Sequence, residues 1–137
     1  MTQDDDILYR LWDFRSPPPR NENLILAWGR NQTKKDRAKL NQKFRRLVQM
    51  DFKLAVDTRL RAGPIYEHIY KLVIHGDVML RPMLCKGPLE NDSEYTLLLG
   101  AVEVGGKLPA GSREKAEENR NAILQDDSRR CPHERIP

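Results

Sequence analysis

The stretch from Val78 to Lys107 constrains the fold most strongly, because it contains two apolar segments joined by a polar loop. Arg81 is the lone cation of the first segment, whose other residues are of types that are usually buried. The second segment ends at Glu103 and is followed by Gly105-Gly106 and Lys107. Because an unpaired buried charge is costly, Arg81 needs either an anionic partner or an open cleft.

The length of 137 residues fits a single domain, residues 1–137, with one sizeable core. We expect that core to span about residues 6–125, and the charged segment 126–137 to be a poorly ordered tail. No apolar run approaches the roughly 20 residues that cross a bilayer, so we expect no membrane partner. The acidic start, MTQDDDILYR, is not typical of a secretory signal, and the expected location is the cytoplasm.

Hydrophobic periodicity and turn residues predict an α+β fold with the element order βααβββα. The architecture expected is a mainly antiparallel four-stranded sheet, with two N-terminal helices on one face and a C-terminal helix. The predicted strands are Ile7 to Phe14, Ile69 to Ile74, Val78 to Cys85 and Tyr95 to Val102. The predicted helices run from Asn21 or Asn23 to about Arg30, from Thr33 to about Gln49, and from Ser112 to about Leu124. Residues 52–62 are expected to form a short helix or an irregular connection.

The positive charge of the chain is concentrated in residues 30–61, which hold eleven Lys or Arg and three Asp, a net charge of +8. Such a block is typical of a surface that binds a polyanion or an acidic partner, although it also fits a solvated helix face. On the helix that begins after Thr33, a row of cations lies opposite the apolar stripe. These cations are the candidate nucleic-acid-binding residues Lys35, Lys39, Lys43 and Arg46.

These segments resemble the RelE/ParE superfamily of bacterial toxins, and most closely its phage-derived, HigB-like branch. The residues that carry the resemblance are RSPPPRNENLILAW, the basic helix, IYKLVI, VMLRPMLCKGP, EYTLLLGAVEVGGKLP and EKAEENR. The resemblance covers roughly residues 6–125. It implies a small basic domain paired with an antitoxin protein. RelE- and HigB-like members cleave mRNA on the ribosome without a metal, whereas ParE-like members poison DNA gyrase.

The resemblance also shows one departure. Many members carry an Arg in a Glu-Leu-Arg pattern before the hairpin turn, and here the matching residues are Lys71-Leu72-Val73. The sequence therefore leaves three functions open. One is a ribosome-dependent mRNA endonuclease, and another is a non-catalytic binding protein on the same fold, either a gyrase poison or an inactive homologue. The third is a nucleic-acid-binding domain that is unconnected to toxins.

Ribonuclease chemistry of this kind needs a cation against the transition-state charge and groups that move protons. Arg81 is the candidate cation, unless it forms a buried salt bridge with Glu103 or Glu94. Lys107 could reach the same site or be an ordinary exposed lysine. Glu103 could be a general base or simply the partner of a cation, and Tyr95 could stack on a base or belong to the core.

Two further lysines, Lys71 and Lys86, are additional candidates for nucleic-acid contacts. The pair Cys131 and His133 is a weak indication of metal binding, since a structural zinc site usually has four ligands. No nucleotide-binding loop or nucleophile motif is present in the sequence, so no cofactor is expected.

Overall fold

The computed structural model describes residues 7–57, residue 65 and residues 67–137. The helices are α1 (Leu24–Arg30), α2 (Lys34–Val48), α3 (Phe52–Asp57) and α4 (Ser112–Gln125), with a 3-10 turn at Asp127–Arg129. The strands are β1 (Arg10–Phe14), β2 (Tyr70–Lys71), β3 (Ile74–His75), β4 (Met79–Leu80), β5 (Met83–Lys86), β6 (Glu94–Leu99), β7 (Val102–Glu103) and β8 (Arg130–Pro132). The fold is therefore α+β, as the sequence predicts. Of the segment 52–62, residues Phe52–Asp57 are helical and the rest lies outside the described residues.

The strands form a five-stranded sheet in the order β2-β5-β6-β1-β8 and a three-stranded sheet in the order β3-β4-β7. In the larger sheet β1 is parallel to β6, and the other neighbours are antiparallel. This differs from the single four-stranded sheet expected from the sequence. The difference arises because the C-terminal segment adds β8, and because the three predicted central strands each bend from one sheet into the other.

The bend divides one continuous hairpin rather than separating two. Tyr70 pairs with Leu84 in the larger sheet, and Ile74 pairs with Leu80 in the smaller sheet, in the same register. Between them the amide of Leu72 donates to the carbonyl of Pro82 at 2.9 Å. The backbone of the hairpin therefore stays hydrogen-bonded through the bend.

A proline, Pro82, and a glycine, Gly100, lie at this bend. Pro82 lacks an amide donor and interrupts the ladder between β4 and β5. Gly100 lies between β6 and β7, where a Cβ atom would be 1.9 Å from the ring of Trp28 in α1. The indole of Trp28 therefore packs directly on the backbone at the point where the strand bends.

Helices cover both faces of the larger sheet. On one face, α2 buries Leu40, Phe44 and Leu47 in a cluster that includes Leu84 and Leu97. On the other face, α4 buries Ala116 and Ile123 in a second cluster, whose sheet residues are Met83, Cys85 and Leu98. The apolar stripe predicted for α2 is confirmed, and its polar side is left on the surface.

The start of α2 is tied to the turn between β3 and β4. The hydroxyl of Thr33 caps the helix by accepting from the amide of Asp36, as the sequence predicts. The Asp36 carboxylate is fully buried and accepts from the amides of Asp77, at 2.8 Å, and Val78, at 3.3 Å. A Cβ atom at Gly76 would be 2.2 Å from an oxygen of Asp36, so the close approach requires glycine there. The carboxylate thereby fixes the smaller sheet against α2.

The C-terminal segment is packed against the domain and is not the poorly ordered tail expected from the sequence. Strand β8 pairs antiparallel with β1, so β1 becomes an interior strand. Ile136 is buried, and its backbone amide and carbonyl both bond to the side chain of Asn41, at 2.9 and 2.8 Å. Composition suggested disorder because this short segment is charged, whereas its order comes from partners elsewhere in the chain.

A buried ion pair holds β8 to β6. Arg130 donates to the carboxylate of Glu94 at 2.7 Å, and its guanidinium lies 4.0 Å above the ring of Trp12. Burial raises the pKa of Glu94, but hydrogen bonds from Arg130 and from the amides of Glu90 and Leu89 outweigh burial and lower it overall. Glu94 is therefore ionised at neutral pH and depends on Arg130 for compensation.

We predict that Arg130→Met lowers the free energy of unfolding by about 3–5 kcal/mol, because it leaves the carboxylate of Glu94 buried without its cation. Urea denaturation at neutral pH measures the change. Arg129→Met is the matched control, since the Arg129 side chain makes one hydrogen bond, to the carbonyl of Arg15, and a contact 5.1 Å over the ring of Phe14. It should cost only about 1–2 kcal/mol. Equal losses in the two variants would contradict the assignment.

Candidate functional site

A cleft of about 430 Å³ brings together three of the residues predicted from the sequence: Lys71, Glu103 and Lys107. They come from β2, from the end of β7 and from the turn that follows β7. The first turn of α4, including Arg113, forms the opposite wall. Residues far apart in the sequence thus converge on one opening in the surface.

Glu103 is the central acid of this cleft. Its Oε2 atom accepts from the ammonium of Lys71 and from Nε of Arg81, both at 3.2 Å. Within the described part of the chain, Oε1 accepts no hydrogen bond. The Lys71 hydrogen bond lowers the pKa of Glu103 most, and the charge of Arg81 adds to this effect against the opposing effect of burial. Glu103 is therefore ionised at neutral pH, with one oxygen free to accept a proton.

Arg81 lies behind Glu103 and is buried, with only 6% of its side chain exposed. Besides Glu103, the guanidinium donates to the carbonyls of Leu80 and Ile74, at 3.0 and 3.4 Å. The sequence required either an anionic partner or an open cleft for this residue, and the structure provides the partner, Glu103. Of the two roles that the sequence left open for Arg81, the structure shows the buried salt bridge with Glu103. From its position at the bend, Arg81 orients Glu103 through this hydrogen bond.

Lys107 projects from a tight turn rather than from a flexible hinge. Val104 and Lys107 exchange backbone hydrogen bonds of 3.0 and 3.1 Å across Gly105 and Gly106. Both glycines have positive φ, 59° and 77°, which is typical of the two-residue turn that closes a β-hairpin. The ammonium of Lys107 is exposed and makes no ion pair with the described residues. It is a cation of the cleft that is available to a ligand.

The first turn of α4 adds donors that sequence reasoning missed. The N-cap is Gly111, with φ of 81°, and not Ser112, whose hydroxyl donates to the carbonyl of Pro109. Among the described residues no side chain caps the helix, so uncapped amides and the positive end of the helix dipole border the cleft, as does the acidic side chain of Glu114. Arg113 was missed because, in the sequence, it is one of many charges on an amphipathic helix.

Tyr95 does not belong to the cleft. Its side chain is fully buried, and its ring lies 4.6 Å from that of Tyr9 and 6.3 Å from that of Phe52. Of the two roles left open by the sequence, the structure shows the core role, and stacking on a nucleobase is excluded in this arrangement. Lys86 also lies away from the cleft, with its ammonium 4.7 Å above the ring of Phe52.

The basic face of α2 lies on the opposite side of the sheet from the cleft. Lys39 donates to the carbonyl of His75 at 2.6 Å, and Lys35 lies 3.5 Å from the carboxylate of Asp77. Lys43 and Arg46 make no ion pair with the described residues. Helix α2 and the cleft therefore do not form a single electropositive surface, because the sheet separates them.

Cys131 and His133 lie on and after β8, where Asp13 is the neighbour of both. Among the residues that the structure describes, no cluster of three or more His, Cys, Asp or Glu side chains could hold a metal ion. Within the same residues, no helix has both the length and the apolar character needed to span a bilayer.

Comparison of the chain with protein-family models, with curated proteins and with solved structures gives no match. The geometry of the site is therefore the basis for its interpretation.

We predict that Glu103→Gln lowers the free energy of unfolding by about 3 kcal/mol at pH 7, because the buried guanidinium of Arg81 loses its counter-ion. The pKa of Glu103 is lowered in the folded state, so its contribution is complete above the ordinary glutamate value. That contribution disappears as the pH falls through the lowered pKa. The difference between wild type and variant should therefore shrink in acid, as measured by urea denaturation between pH 7 and pH 3.

Glu118→Gln is the control for this experiment, because Glu118 pairs with Lys115 on the exposed surface of α4. Its difference from wild type should stay below about 1 kcal/mol at every pH. A Glu103→Gln difference that does not change with pH would contradict the ion-pair assignment.

Proposed function

We propose that this protein is the toxin-like component of a bacterial toxin–antitoxin pair and cleaves mRNA on the ribosome without a metal. The class comes from the resemblance to RelE- and HigB-like toxins. The observation that supports catalysis is that Glu103 and Lys107 line the same cleft, and that Oε1 of Glu103 accepts no hydrogen bond from the described residues. The cognate antitoxin and the mRNA-bearing ribosome are the expected partners, in the cytoplasm.

In this proposal Glu103 accepts the proton of a ribose 2′-hydroxyl. The 2′-oxygen then forms a bond to the adjacent phosphorus, and the bond from phosphorus to the 5′-oxygen breaks. The leaving oxygen takes the electron pair and a proton, which the ammonium of Lys107 can supply. The products are a 2′,3′-cyclic phosphate and a 5′-hydroxyl end.

The remaining residues of the cleft position these groups. Arg81 and Lys71 donate hydrogen bonds to Oε2 of Glu103, so Oε1 is the oxygen that accepts the proton in this proposal. Arg113 and the free amides of α4 can bind phosphate oxygens. Since its lowered pKa makes Glu103 a weak base, the rate at this site depends on accurate placement of the RNA, which the ribosome would provide.

A second function is supported by the burial of Arg81. The most strongly basic group of the predicted site is not available to a phosphate, and Val73 replaces the Arg of the related pattern. Both facts favour a non-catalytic binding protein, such as a gyrase poison or an inactive homologue. In that case the cleft would serve as a binding surface only.

We predict that expression of the protein without its antitoxin creates new mRNA 5′-hydroxyl ends, and that Lys107→Ala reduces them about 100-fold. End mapping of total RNA gives the measurement. Lys107→Arg should retain much of the cleavage, because it keeps the charge. Lys115→Ala is the control, since Lys115 is an exposed lysine of α4 that does not line the cleft.

Growth arrest without new RNA ends, together with inhibition of purified gyrase, would instead support the second function. Free expression without growth arrest would indicate an inactive homologue. New ends that persist unchanged in Lys107→Ala would contradict the assignment of the cleft as the catalytic site.

A further inference from the structure

A second and larger cavity, of about 730 Å³, lies on the α2 side of the sheet. It is bounded by α2, by β1 and by the C-terminal segment. Phe44 and Val48 contribute to its apolar floor, and His133, Arg45 and Arg135 contribute polar groups. The cavity is separate from the cleft around Glu103, and the inference drawn from it does not depend on the proposed function.

His133 is held in a fixed orientation in this cavity by a buried carboxylate. Asp13 is fully buried, and its Oδ1 lies 2.8 Å from Nδ1 of His133. Its Oδ2 accepts from the side-chain amide of Asn23, at 2.8 Å, and from the backbone amide of Glu134, at 3.1 Å. Two donors to one oxygen fix the carboxylate, and Asn23 is itself fixed as the N-cap of α1.

This arrangement determines which imidazole nitrogen is available. Nδ1 of His133 is engaged in the hydrogen bond with the carboxylate of Asp13. Within the described part of the chain, Nε2 makes no hydrogen bond, while the ring packs edge-on against Phe44 at 5.2 Å. Nε2 is therefore the nitrogen that a ligand in the cavity can reach.

Two unpaired cations accompany this nitrogen. Arg45 and Arg135 are exposed, and neither forms an ion pair with the residues that the structure describes. Arg10 also borders the cavity, but its guanidinium lies 4.7 Å above the ring of Trp12 and is thus occupied elsewhere. Two guanidinium groups match the charge of a phosphomonoester, which carries about −1.5 to −2 at neutral pH, and the imidazole adds a hydrogen-bonding group.

We propose that this cavity binds a phosphomonoester of nucleotide size, with its phosphate at Arg45 and Arg135 and one phosphate oxygen sharing a proton with Nε2 of His133. The apolar part of the ligand packs on the floor formed by Phe44 and Val48. The volume lies within the range of about 300–1,000 Å³ that is typical of small-molecule sites, and far exceeds the needs of inorganic phosphate. Either a free mononucleotide or the phosphorylated 5′ end of an RNA has this chemistry.

Anchoring of the C-terminal segment explains only part of the arrangement. It accounts for the bond between Asp13 and Nδ1 of His133. It does not account for Nε2, which makes no hydrogen bond with the described residues, nor for two guanidinium groups that form no ion pair with those residues around the same cavity. A ligand phosphate would satisfy all three groups at once.

Isothermal titration calorimetry of the full chain with adenosine 5′-monophosphate, adenosine and inorganic phosphate tests the proposal. The monophosphate should bind at least tenfold more tightly than either fragment. Arg45→Gln and Arg135→Gln should each weaken its binding about tenfold or more, because each removes a charge-assisted hydrogen bond. Lys34→Gln removes an equal charge from an exposed site of α2 outside the cavity and should leave binding unchanged.

His133→Asn separates binding from anchoring, because the asparagine amide can still donate to Asp13 but provides no counterpart of Nε2. We expect about tenfold weaker binding with little change in melting temperature. A short RNA with a 5′-phosphate, compared with the same RNA with a 5′-hydroxyl, distinguishes an RNA end from a free nucleotide as the source of the phosphate.

The proposal is overturned if the monophosphate binds no better than adenosine. It is also overturned if Lys34→Gln weakens binding as much as Arg45→Gln, since the effect would then be general electrostatic attraction. If His133→Asn lowers the melting temperature strongly, the two arginine variants, which change exposed side chains, still decide the question.

Discussion

The ion pair between Arg81 and Glu103 is the interaction on which the bend of the central hairpin and the cleft beside it depend. A guanidinium at this depth is tolerated only when it is paired and hydrogen-bonded, and Glu103 together with the carbonyls of Leu80 and Ile74 meets that requirement. All of these groups come from the short strands beyond the bend. The strands of the smaller sheet therefore provide the hydrogen-bond partners of the buried guanidinium of Arg81. The same contact fixes Oε2 of Glu103, a residue that lines the cleft. The stability of the bend and the geometry of the site therefore have a common cause.

Local features of the fold could be predicted from the sequence because local physics determines them. The cap at Thr33 and the stripe of Leu40, Phe44 and Leu47 follow from helix-terminus chemistry and periodicity. Strand β8 could not be predicted, because three residues with no apolar alternation form a strand only through β1 and the pair of Arg130 with Glu94. The bend was likewise missed, since at Gly100 it packs the strand backbone against Trp28, more than 70 positions earlier in the chain.

The sequence allowed us to predict several residues that line the cleft, but not which of the candidate side chains are buried. One cleft is lined by Lys71, Glu103 and Lys107. These residues could be selected from the sequence because of the alternation of the strands and the position of the turn. The burial of Arg81 and Tyr95 depends on tertiary packing, and residue type alone leaves both outcomes open. His133 was considered only as a metal ligand, because the sequence does not show that β8 carries it to Asp13. The two faces of the sheet thus carry different sites. On one face Glu103 lies between Lys71 and Arg81. On the other, two arginines that form no ion pair with the described residues lie around the imidazole of His133.

The central claim is that the guanidinium of Arg81 is enclosed and paired with Glu103, and it is tested most directly by side-chain ¹⁵N NMR of the Arg81 Nε–H group. The account predicts a resolved Nε–H signal that exchanges slowly with water and does not shift when a short RNA is added. Replacement of Glu103 by Gln should accelerate that exchange. A signal that exchanges as fast as a free arginine side chain, or that shifts on addition of RNA, would show that the guanidinium is open to solvent or ligand and would contradict the account.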